Sequence, residues 1–132
     1  PLRLWVMLNP SVADEKITDP TVDRCVQRNK DDEFAGIIVC NIFAFVSTNP
    51  EELYKQADPI GPRNDDVIIR CARESTEIVT GWGVHGAHLD RGQEVLKLLR
   101  RAGFVVKALK LTKEGHPVHP LYQPYELKPT LI

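Results

Sequence analysis

Four short runs of apolar residues punctuate the chain: LWVML at 4–8, IIVCNIF at 37–43, EIVTGW at 77–82 and FVVKAL at 104–109. A strand with one face in a core alternates apolar and polar residues, whereas a strand covered on both faces is apolar almost throughout. These runs are of the second kind and predict buried strands of a parallel sheet. Between them the pattern turns helical. Asp19 and Pro20 supply an N-cap and a first-turn proline for a helix over 18–30, with Val22, Cys25 and Val26 on one face. Asn49 and Pro50 repeat the device for 49–57. Val67, Ile68, Cys71 and Ala72 form a stripe within 62–75. Val95, Leu96, Leu98, Leu99 and Ala102 form another within 90–103, where Gly103 ends the helix. Strands alternating with capped helices predict an α/β fold: an α/β/α sandwich on a four-stranded, mainly parallel sheet, its first two strands adjacent.

Composition narrows the class. The chain has 132 residues, 42% hydrophobic and 27% charged, which suits a single soluble globular domain over 1–132. The longest apolar stretch, IIVCNIFAFV at 37–46, is broken by Asn41 and too short to span a bilayer, so no membrane partner is expected. No secretory signal stands out. Cys25, Cys40 and Cys71 are odd in number, scattered and each set in an apolar pattern, which predicts buried free thiols and a cytoplasmic protein. Net charge is −1, so there is no overall nucleic-acid signature. Residues 1–66 carry seven Lys+Arg and twelve Asp+Glu, whereas 67–132 carry ten and six. The second half can therefore present a local basic face or a solvated surface of mixed sign.

Chemistry-bearing residues collect at one place in this pattern. Asn9, Pro10 and Ser11 follow the first strand, Asn41 lies near the end of the second, Gly81, Trp82 and Gly83 end the third, and GHPVHPLY at 115–122 follows the fourth. Open parallel sheets bind ligands outside the carboxyl ends of their strands, so these segments predict one shared site. His116 and His119 each precede a proline, which favours extended backbone and a defined direction for each imidazole. Asn41 either bonds to neighbouring backbone or offers its amide to a nucleobase edge. Asn9 either caps a turn before Pro10 or orients a water, since an amide cannot serve as general base near neutral pH.

Other motifs carry less. GWGVHG at 81–86 has the glycine spacing of a dinucleotide fingerprint but lacks the acid about 20 residues further on, so its glycines read as a tight turn or a close backbone approach. His85 and His88, with His116 and His119, make two H-x-x-H pairs, yet no HExxH and no cysteine cluster accompanies them. Neither a GxSxG elbow nor a P-loop is present. No metal or cofactor is expected.

The segments MLNPSVADEKITDPTVDRC, IVCNIFAF, ADPIGPRND, GWGVHG and GHPVHPLY together resemble the domain-of-unknown-function family numbered 1643, found in bacteria and phages. More distantly, an LNP turn after strand one, an asparagine in strand two, a glycine-ended strand and a late His-Pro loop are similar to the uracil-DNA glycosylase superfamily. That resemblance implies a glycosylase-like three-layer fold and hydrolytic release of a base from DNA or a nucleoside, a base being drawn out of its stack into a pocket. It implies that Asn9 orients water, that Asn41 reads the base, and that His119, or else His116, stabilises the leaving base. Phe43 and Trp82 either offer it a stacking surface or pack in the core, with Tyr122 close by. Ser11 stands where those enzymes carry glycine, and Leu121 and Tyr122 replace their Ser-Pro. The alternative class is a noncatalytic module binding a nucleobase, a nucleotide or nucleic acid.

Overall fold

The computed structural model describes residues 1–11 and 19–132. Among these residues five strands form one sheet: β1 (Leu2–Met7), β2 (Gly36–Asn41), β3 (Glu77–Thr80), β4 (Lys107–Ala108) and β5 (Thr130–Leu131), in the order β2-β1-β3-β4-β5. The first four run parallel, β1 and β2 are neighbours, and β5 lies antiparallel on β4. The fifth strand corrects the expected count of four. It is two residues long, polar at Thr130 and exposed, so it carries no apolar run to reveal it. The 104–109 run likewise shrinks to Lys107–Ala108. Phe104 N–H still bonds Leu99 O at the end of the preceding helix, and Val105 is 65% exposed.

Among the described residues three α-helices connect the strands: α1 (Pro20–Asp31), α2 (Asn64–Glu74) and α3 (Arg91–Arg101). Asp19 caps α1 through its side chain, which accepts from Thr21 and Val22 N–H. Thr18, at the head of the predicted helical stretch, lies outside the described residues. The Asn49-Pro50 device produces a 3-10 helix over Pro50–Lys55 rather than an α-helix. Gly103 takes φ +90° just past α3.

Because side chains alternate along a strand, β1 feeds two cores. Leu4, Val6 and Leu8 join Ile68 and Ala72 of α2 and Val95, Leu96 and Leu99 of α3. Trp5 and Met7 point the other way, with Cys25 of α1, Val79 and Leu109, and Val118 and Leu127 of the C-terminal segment pack on them. The sheet is thus covered on both faces, one of them partly by irregular chain. That chain is held down by α1: Arg28 donates to the carbonyls of Leu127 (2.7 Å), Gln123 (3.1 Å) and Pro124 (2.8 Å), and Arg24 to Pro120 (3.3 Å) and Gln123. Several expected core residues of the helices lie further out: Val67 is 38% exposed, Ala102 is exposed, and Val22, Val26, Cys71 and Leu98 are half-buried. The apolar stripes of α2 and α3 are wider than the contact that each helix makes.

Candidate functional site

Beyond the carboxyl ends of β1, β2 and β3 lies a cleft of about 830 Å³. The βα connections build it, since a parallel strand must leave the sheet at that end. Asn9, Pro10 and Ser11 leave β1, Asn41 ends β2, Trp82 and Gly83 leave β3, and His119 reaches in from the C-terminal segment; all seven line the cleft. Met7, Val39, Pro50, Val84 and Leu121 supply apolar wall. This volume is in the range of small-molecule sites.

Three polar side chains have defined orientations or open valences. Asn9 Nδ2 faces the carbonyls of Ser47 (3.0 Å), Phe45 (3.1 Å) and Pro10 (3.3 Å). Carbonyls only accept, so the amide nitrogen must face them, and Oδ1 is the atom left to accept from a ligand or a water. Asn41 is bonded through its backbone, its carbonyl accepting from Asn64 Nδ2 at 2.8 Å. Among the described residues its side-chain amide has no hydrogen-bond partner. His119 Nδ1 accepts from Leu121 N–H at 3.3 Å, so the neutral ring carries its proton on Nε2. Burial lowers the His119 pKa below the ordinary imidazole value, against an opposing pull from Asp19, and so favours this neutral, Nε2-protonated form.

The His-Pro segment reaches the cleft because β3 ends in glycines. A Cβ on Gly81 would meet Pro120 Cδ at 3.0 Å. Gly83 has φ +72°, donates its N–H to Pro117 O at 2.9 Å and lies beside His119 Cβ. The GWGVHG glycines therefore serve close backbone approach and a turn.

Four expected site residues do not line the cleft. Phe43 is fully buried in the α2–α3 core, because the chain bends after Asn41 and turns its ring beneath the sheet edge. Gly81 lies behind the wall, under Pro120. His116 belongs to a hairpin closed by the Leu111–Pro117 bridge, with its N–H on Thr112 Oγ1. Tyr122 is 88% exposed, carried outward by its left-handed backbone at φ +71°. Trp82 does line the cleft, yet is only 2% exposed, its indole packed in the core against Gly86 and Gly92.

The family model described as "Protein of unknown function (DUF1643)" matches residues 1–121. The chain belongs to the DUF1643 family. No curated protein and no solved structure gives a match.

The DUF1643 chain also brings residues to the cleft that patterning did not single out for it. Asp19 and Asp23 line it from the first turn of α1. Asp19 Oδ2 accepts from Ser11 Oγ at 2.8 Å while Oδ1 caps the helix. His85 lines the opposite rim, where its Nδ1 lies 3.0 Å from Tyr54 Oη, and Tyr54 in turn lies 4.4 Å from the His88 ring. Asp19 was legible as a cap, and a cap in the first βα connection sits at the carboxyl edge by construction. The Tyr54–His85 contact joins positions 31 apart and has no local signal.

No group of three or more His, Cys, Asp or Glu side chains suited to a metal ion occurs among the described residues. None of the cysteines lines the cleft, and burial pushes the Cys25 thiol up to about 12, far from a reactive thiolate. No helix among the described residues is long and apolar enough to cross a membrane.

Proposed function

We propose that this protein is a hydrolase that releases a base by cleaving an N-glycosidic bond. The observation that carries the proposal is that one cleft is lined by a fixed acceptor at Asn9, an open amide at Asn41 and a neutral donor at His119. The distant likeness to the uracil-DNA glycosylase superfamily assigns the same three positions complementary tasks. The Asn41 amide donates to a C=O and accepts from an adjacent N–H, the edge of uracil or hypoxanthine. Asn9 Oδ1 accepts one O–H of a water and aims its oxygen at the sugar C1′. As the glycosidic bond breaks, its electron pair leaves with the base, and His119 Nε2–H donates to the charge that builds there. Water oxygen bonds to C1′, and the water's proton ends on the released base, so the reaction balances without cofactor or metal.

Base release from uracil- and hypoxanthine-containing nucleosides and from single and double strands tests the proposal. Release is expected from at least one, with Asn41→Asp changing which base is accepted, because a carboxylate only accepts. Measurable nucleobase or nucleotide binding without release from any substrate would make the cleft a noncatalytic binding module instead.

A further inference from the structure

We infer that His85 binds a sugar hydroxyl of the ligand and that Tyr54 is the residue that positions it. This rests on the base-release reading above, which gives Asn9 the water, Asn41 the base and His119 the leaving charge, and adds a contact for the sugar. His85 lines the cleft just after β3. Its turn is pinned at both ends. Gly83 donates its N–H to Pro117 O at 2.9 Å, and Gly86 N–H bonds back to Gly83 O at 3.2 Å. Gly86 lies against the buried Trp82, whose ring a Cβ there would meet at 2.1 Å. The side chain is held as well, its Nδ1 lying 3.0 Å from Tyr54 Oη. The Tyr54 ring lies edge-on to His85 at 5.9 Å and 4.4 Å from the His88 ring. His88 in turn lies 5.8 Å from Phe43, which is fully buried. A row of rings thus runs from the core to the cleft and ends on His85.

Tyr54 is 50% exposed, so its hydroxyl can bond to water without help from the protein. Its bond to Nδ1 instead fixes the His85 ring, although ordering two side chains costs entropy. What the bond fixes follows from imidazole geometry. The two ring nitrogens point away from each other. With Nδ1 on Tyr54, which stands outside the lining, Nε2 is the nitrogen that meets a ligand. In the neutral ring one nitrogen donates and the other accepts. A tyrosine hydroxyl satisfies Nδ1 in either tautomer, so Nε2 can present an N–H or a lone pair. Its best-matched partner is a group that also does both. A base C=O only accepts and a base N–H only donates, and the Asn41 amide already suits that pair. Sugar hydroxyls donate and accept.

The test measures base release and equilibrium binding of uridine and inosine, and of their 2′-, 3′- and 5′-deoxy analogues, with the full chain. His85→Ala should weaken binding and lower kcat/KM for the parent nucleosides by about three- to tenfold, the worth of one hydrogen bond. For the analogue that lacks the bonded hydroxyl the same substitution should change nothing, and that unchanged value also reports an intact fold. Tyr54→Phe keeps the ring that packs on His88 and removes Oη. It should give a smaller loss with the same dependence on that hydroxyl, and no further loss when combined with His85→Ala. A Tyr54→Phe loss that ignores the hydroxyl, or no loss at all, overturns the positioning role. Where release is seen, equal sensitivity of parents and all three analogues to His85→Ala, or no sensitivity in any, overturns the inference and leaves base release standing. Release from DNA strands with no nucleoside bound does the same. If nothing is released, base release fails and binding alone decides. A hydroxyl-dependent loss upholds the sugar contact, whereas a uniform loss, no loss or no binding overturns it.

Discussion

The two ends of the sheet solve opposite problems. At the amino end Arg3 is 3% exposed, and its guanidinium is surrounded: Glu77 at 2.6 Å, Asp32 at 2.7 Å, Asn29 Oδ1 at 3.3 Å and the Phe34 ring at 4.3 Å. Lys107 closes on Glu77, Lys128 on Asp32 at 2.8 Å, and Trp5 Nε1 on Asn29 at 2.9 Å. Every charge in that network has a partner, as burial demands. At the carboxyl end Asn41 keeps an amide without a partner among the described residues, and Asn9 and His119 present single atoms of fixed polarity. Polar groups that complete one another hold a fold together. Groups fixed in direction but left incomplete are what a ligand completes.

The contrast can be broken most forcefully at Arg3. Arg3→Ala leaves Asp32 and Glu77 largely buried without their main counter-charge, and urea denaturation should show a loss of about 3–5 kcal/mol. A loss below about 1 kcal/mol would mean that the network is solvated and that the two ends do not differ as described.

At the other end the large effect falls on rate. His119→Ala removes the Nε2–H donor, so base release should drop by about 10²–10³ in kcat, with a smaller change in KM. A change confined to KM would place His119 in ground-state binding alone.

Acid separates the two ends along the pH axis. Burial lowers the His119 pKa, with Asp19 opposing. Below the ordinary imidazole pKa of about 6.5 the unfolded chain binds this proton first, so stability begins to fall there and goes on falling until the depressed folded value is passed. Burial raises the Asp32 carboxyl, but hydrogen bonds from Lys128 and Arg3 outweigh it and hold the pKa below the usual range. The Asp32 contribution is therefore complete above about 3.9 and is lost as pH falls through the lower folded value. Denaturation midpoints from pH 8 down to about pH 2 should show two steps, the upper absent in His119→Gln and the lower reduced in Asp32→Asn. The neutral His119 of the mechanism predicts a base-release rate that is flat through pH 6.5 and falls only below it.

The smallest effect sharpens the comparison furthest. Asn41→Val replaces an open amide with an apolar side chain beside Met7 and Val39. Stability should rise by about 0.5–1 kcal/mol while nucleobase recognition disappears. A clear loss of stability would show the amide to be structural.

Much of the fold was legible because it rests on local rules. Continuous apolar runs mark the strands, though only β1 and β3 are buried along most of their length, while Val39 of the edge strand β2 and Val105 before β4 are exposed. Asp19-Pro20 and Asn49-Pro50 mark helix starts wherever the chain goes. The carboxyl-edge position of Asn9, Asn41 and the His-Pro segment also followed, since parallel strands exit on one side. What periodicity leaves open is which way a residue turns once its strand has ended. Phe43 entered the core and Tyr122 went to solvent according to a bend just after Asn41 and the left-handed backbone of Tyr122, which only packed neighbours impose. The brief antiparallel β5, the arginine clamps from α1 and the Tyr54–His85 contact join residues far apart in sequence, and no local propensity encodes them. The sequence by itself determined the strands, the caps and the edge at which chemistry collects. Tertiary structure decided which atoms face the cleft, because hydrogen-bond direction depends on acceptors that distant segments bring: Phe45 and Ser47 for Asn9, and a turn beneath β3's glycines for His119.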